Sequence, residues 1–166
     1  MWNQLIAFVG PLISLCTIGF FASIALAITP PEIRGQGDLP ISPDMHGRDL
    51  NNYEFVKSDL RGFDFSDADL RGAVFNNSQL QQANLHGADL EDVVAFASIF
   101  EGANLTDANF TNCLLMESNF NDAQIAGADF TNAVIDKSQQ KNLCMRAEGT
   151  NSQTGISTYE SLACSG

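Results

Sequence analysis

The chain has 166 residues, with 20 acidic against 8 basic side chains, a net charge of −12 at pH 7 and an isoelectric point near 4.2. That length holds one domain and an appendage. The acidic balance excludes direct binding of nucleic acid phosphates, which needs Lys and Arg to neutralise the backbone.

Residues 1–31 contain no charged side chain, and Leu5 to Leu26 is almost continuously apolar. The run closes on Ala25-Leu26-Ala27, a small-x-small pattern suited to signal peptidase. Two features depart from an ordinary signal peptide. The opening "MWNQ" lacks Lys and Arg, and 22 apolar-rich residues exceed the usual ~7–15. The run is long enough to span a bilayer as a helix, although Pro11 disturbs its first turns. Residues 1–27 are therefore expected to be an export signal or a membrane anchor, with cleavage and retention both open. Residues 28–42 read as a linker.

From Pro43 to Lys137 the chain divides into 19 consecutive pentapeptides without an insertion. The third residue of each, from Met45 to Ile135, is large and apolar in 18 of the 19, and only Ala95 departs. The first residue is Ala, Ser or Cys in 14 of them; Pro43, Arg48, Tyr53, Phe63 and Val93 are the others. Period five suits neither regular element. On an α-helix a step of five rotates the apolar residue by about 140°, and on a strand an odd step alternates faces. One buried row survives only if the chain turns at every repeat, with small first residues at the inner corners and the second, fourth and fifth positions facing water.

These units, "ADLRG", "ANLHG", "ADLED", "ANLTD" among them, resemble the A(D/N)LXX motif of the pentapeptide-repeat family. The resemblance covers 95 of the 166 residues. It implies an all-β fold, a right-handed quadrilateral β-helix with four pentapeptides per coil, here nearly five coils and about 23 Å tall at the ~4.8 Å strand spacing. It also implies that the third positions stack in the core and that Cys113 fills a small inward position, packed rather than nucleophilic. The coil ends need caps, because each coil buries its core only against neighbours.

Cys144 and Cys164 bracket a polar tail, residues 138–166, and a disulfide between them fits an oxidising compartment. Closing that loop is worth about 3 kcal/mol in the chain-entropy model. Cys16 lies in the apolar run, after a Leu15 too bulky for a lipoprotein site. Leu143-Cys144, Gly149-Thr150-Asn151, Thr154-Gly155 and Ser161-Leu162-Ala163-Cys164 resemble the C-terminal extension of thylakoid-lumen pentapeptide proteins of cyanobacteria and chloroplasts.

The sequence carries no phosphate loop, no HExxH and no GxSxG, so no enzyme, cofactor or metal centre is expected. His46 and His86 read as solvated surface residues, and four dispersed cysteines do not make a zinc site. With four units per coil, residues 20 apart become neighbours. One second-position column then runs Asp49, Asp69, Asp89, Asn109, Asp129. Stacked carboxylates repel, which would raise some of their pKa values; a proton-sensing or cation-gathering ladder stands against a plain turn-binding role.

A second column runs Glu54, Val74, Val94, Leu114, Val134, and beside it at the fourth position run Val56, Asn76, Phe96, Met116, Asp136. Val74, Val94, Phe96, Leu114, Met116 and Val134 thus form a candidate outward apolar patch, which the repeat motif does not require. The stretch "VVAFASIF" at 93–100 keeps register if Val93 compensates inside for Ala95; a one-residue slip would instead turn Phe96 inward. Three occupants compete for the patch: the chain's own tail through Leu143, Ile156, Tyr159 and Leu162, a second copy, or a protein partner such as a photosynthetic membrane complex. The expected function is an exported, non-enzymatic interaction scaffold of the thylakoid lumen or periplasm, in contact with the membrane if residues 1–27 are retained. The alternative is a DNA-mimicking gyrase inhibitor, since residues 43–137 hold 16 acidic and 5 basic side chains. Export and the short coil oppose it.

Overall fold

The computed structural model describes residues 41–165. The expected signal or anchor, Cys16 and nearly all of the linker lie outside that range. Parallel bridges join each second-position residue to the one 20 residues on, from Asp44↔Asp64 to Leu114↔Val134. Four faces result. Face 1 passes through Asp44, Asp64, Asn84, Asn104 and Gln124, and face 2 through Asp49, Asp69, Asp89, Asn109 and Asp129. Face 3 passes through Glu54, Val74, Val94, Leu114 and Val134, and face 4 through Asp59, Gln79, Ile99 and Asn119.

The faces are narrower than β-strands. Each contributes one bridge per coil, because the chain turns immediately before and after it. At every corner but one the first residue of a unit donates its N–H to the third-position carbonyl of the unit before, as Tyr53 does to Leu50 at 3.1 Å; Ser98 donates instead to Ser118 Oγ at 3.0 Å. The fifth position takes a positive φ at every corner from Gly47 to Asn132. This is the pattern of a type II turn, and it suits Gly and Asn. Here it also holds Lys57, Gln82, Ala97 and Glu117, each at a cost of roughly 1 kcal/mol. The ladder offsets that cost, since the same N–H groups bond the next coil: Lys57 to Asn76 O and Ala97 to Met116 O.

Inside, the third positions from Met45 to Phe130 are almost completely buried, and Ile135 packs partly against them. Phenylalanines stack between coils, with ring centroids 4.8 Å apart for Phe55 and Phe75, and 4.9 Å for Phe100 and Phe120. Opposite faces meet edge-on across the core, as Phe110 of face 2 and Phe120 of face 4 do. Register holds through residues 93–100. Val94 bridges Val74 and Leu114, Val93 and Ala95 are both fully buried, and Phe96 points outward. Val93 therefore supplies the inner volume that Ala95 gives up, and no slip occurs.

The last coil is capped by helix α1 (Lys137–Cys144) and the short helix α2 (Thr158–Ser161). Leu143 and Leu162 enter the core there. Ser157 caps α2, its Oγ accepting the Glu160 N–H. The expected disulfide between Cys144 and Cys164 is present and ties the end of α1 to the end of the tail.

Candidate functional site

Bridge residues alternate with inward first and third positions, so their side chains face out. On faces 1 and 2 most of these side chains are Asp or Asn, which bond locally. Asp49, Asp69, Asp89, Asn109 and Asp129 each accept, through Oδ1, the N–H two residues on, at 2.8 to 3.2 Å. Each thus forms an Asx turn that steadies the next corner. Arg71 reaches both Asp69 and Asp89, at 2.5 and 3.6 Å, and Asn109 donates to Asp89 at 3.0 Å. The expected upward pKa shift does not occur at Asp69. Its hydrogen bond with Arg71 holds the carboxyl below the usual carboxylate range. Like-charge repulsion within the column is relieved by one cation and one amide.

Face 3 differs because its side chains have no local bonds to make. Leu114 and Val134 are 41% and 44% exposed, with Val74 and Val94 half-buried beneath them. At the adjoining fourth position Phe96 and Met116 are 38% and 41% exposed. The structure thus brings all six residues of the predicted patch onto one facet spanning the upper coils. Its rim is polar. Glu54 lies below, Asn76 accepts the Phe96 N–H at 2.9 Å, and Asp136 accepts the Glu117 N–H at 2.6 Å.

The tail does not cover this facet. It crosses the corner between faces 1 and 2, where Asn151 Nδ2 donates to Asp107 O and Gly127 O at 3.0 and 2.9 Å, and Gln153 reaches Gly87 O. Gly149 lies against Gly127 so closely that a Cβ on Gly149 would sit 2.8 Å from the Gly127 nitrogen. Of the four tail residues expected on the patch, Leu143 and Leu162 cap the coil end, while Ile156 and Tyr159 stay exposed.

Cys113 is buried and donates to Leu90 O at 2.9 Å, and burial pushes its thiol far above the ordinary value. It is packed, not nucleophilic. His46 contacts Ser66 Oγ and His86 contacts Thr106 O, each within its own surroundings. Among the described residues no three His, Cys, Asp or Glu side chains converge as a metal site, and no helix is long and apolar enough to cross a membrane. Sequence reasoning missed one site, a groove of about 850 Å³ between the last coil and α2, lined among others by Phe130, Asn132, Ile135, Ile156 and Leu162. No sequence motif marks it, because it depends on where the tail lands.

A coil of five-residue units with an outward apolar facet and a disulfide-tied cap defines a solenoid repeat protein. The family model for pentapeptide repeats matches residues 54–92 and 98–135 in eight copies. The chain belongs to the pentapeptide-repeat family, whose members fold as right-handed β-helices. The match skips residues 93–97, the "VVAFA" unit, where the coil itself continues unbroken. Among solved structures, the chain is 33% identical to a pentapeptide-repeat protein of the Arabidopsis thaliana thylakoid lumen, over 72% of this chain and 90% of that one, with a TM-score of 0.32. It is 23% identical to one from the cyanobacterium Cyanothece, over 64% and 80%, with a TM-score of 0.34. It is 19% identical to the plasmid-mediated fluoroquinolone resistance protein QnrB1, over 62% and 84%, with a TM-score of 0.41. No curated protein sequence matches the chain.

Proposed function

We propose that the protein is an exported, non-enzymatic scaffold that docks a protein partner on face 3. The observation that carries this reading is the uncovered facet of Val74, Val94, Phe96, Leu114, Met116 and Val134. Apolar side chains gathered on one face and rimmed by polar groups mark interfaces, and the repeat motif gives no reason for them. The Cys144–Cys164 disulfide supports an oxidising compartment, and the tail motifs support the thylakoid lumen in particular. A partner in a photosynthetic membrane complex fits that place. The DNA-mimicry reading would leave the facet without a role, and it would place the disulfide in a reducing cytosol.

A photocrosslinking amino acid at Met116, in cells, tests the reading. A discrete crosslinked partner should form, and Phe96→Asp should abolish it while the protein keeps its melting temperature. A protein found in the cytosol with Cys144 and Cys164 reduced, or crosslinks indifferent to Phe96→Asp, would sink the proposal.

A further inference from the structure

Within the coils, every layer donates upward. Phe110, Asn112 and Leu115 give their N–H groups to the carbonyls of Asp129, Thr131 and Val134, at 2.7, 2.9 and 2.9 Å. The last layer has no coil above it, and the cap stands in for part of one. Asp136 Oδ2 accepts from Glu117, Gln139 Oε1 from Phe120 and Glu148 O from Gly127. Phe130, Asn132 and Ile135, the next residues in the donating series, have no acceptor for their N–H groups among the described residues. All three line the groove between the last coil and the tail.

We propose that this groove takes a peptide segment of a partner protein, added parallel to residues 130–135 and turning with them at the Asn132 corner, as a partial extra layer. The groove shares Val134 with the facet and otherwise lies beyond it, and it commits to an occupant by chemistry. The donors call for three backbone carbonyls spaced i, i+2 and i+5, as residues 129, 131 and 134 present them to the layer below. The exposed Ile156 offers an apolar wall for outward side chains, buried Leu162 closes the inner side, and about 850 Å³ suits a short segment. The groove is lined by one cation, Lys137, and one anion, Glu160, on a molecule otherwise rich in carboxylates, so an uncharged backbone meets no net repulsion there. Strand addition at an open edge takes its affinity from main-chain bonds and its selectivity from the wall.

The probe is an acetylated, amidated octapeptide copying residues 129–136, with its Phe130→Ala to clear Leu162. It is added to the 15N-labelled full chain in mild detergent, and amide exchange is read by NMR. Without peptide, the Phe130, Asn132 and Ile135 amides should exchange at least 100-fold faster than Phe110 and Asn112, which exchange only when the coil opens. Peptide should slow them saturably below about 1 mM. Ile156→Asp should weaken binding at least 10-fold, and Phe96→Asp should leave it unchanged, which separates this site from the facet. Three results would overturn the proposal: no slowing at millimolar peptide, protection confined to residues 94–116, or protection by self-association without peptide.

Discussion

At the scale of single residues, the most informative exchange is between Val93 and Ala95. Both are fully buried on face 3, in the coil where the phenylalanine stack of Phe55 and Phe75 stops. Val93 occupies a position held by Ala, Ser or Cys in most units, and its two extra methyls fill the room that Ala95 leaves. Val93→Ala should therefore open a cavity and cost about 2 kcal/mol. Ala95→Leu alone should overpack the same space and cost about 1–3 kcal/mol. The double substitution should recover at least 1 kcal/mol relative to the sum of the two, because the changes fill and empty one volume. Chemical denaturation of the four proteins gives this coupling directly. Strict additivity would mean that the two side chains do not share a space.

At the scale of elements, the tail is a cap whose position comes from backbone bonding and whose persistence comes from the disulfide. Asn151, which is buried, spends its amide on three coil carbonyls, and the Cys144–Cys164 bond closes the segment that carries it. Replacing both cysteines by Ser should lower stability by about 3 kcal/mol. Limited proteolysis should then cut within residues 145–165 while the coil stays intact. The repeat, the core rows, the disulfide and the outward patch were all legible in the sequence, because each depends on a period or on residue type. Two things were not. The corner conformation was not, since Lys57, Gln82, Ala97 and Glu117 take the same positive φ as Gly47 despite side chains that disfavour it. The path of the tail was left open, because apolar content pointed Ile156 and Tyr159 at the facet, whereas polar bonds to the Asp107 and Gly127 carbonyls hold the tail at another corner.

At the scale of the whole molecule, the question is whether an acidic coil responds to an acidified surrounding. The carboxylates of Asp64 and Asp69 are held below their ordinary range, the first by Ser66 and the second by Arg71. Each of them therefore adds stability that is present above the unfolded-state value near 3.9 and lost as pH falls through the lower folded-state value. No part of that change falls between pH 5 and 7.5. The melting temperature should be level across that window and should drop only below about pH 4, as Asp64 takes up its proton and gives up the Ser66 and Asn84 bonds. A coil built this way keeps one geometry from neutral to mildly acid pH. A melting temperature that moves by several degrees between pH 5 and 7.5 would mean that another group titrates, and the Asp49, Asp69, Asp89, Asp129 column would become a proton sensor after all.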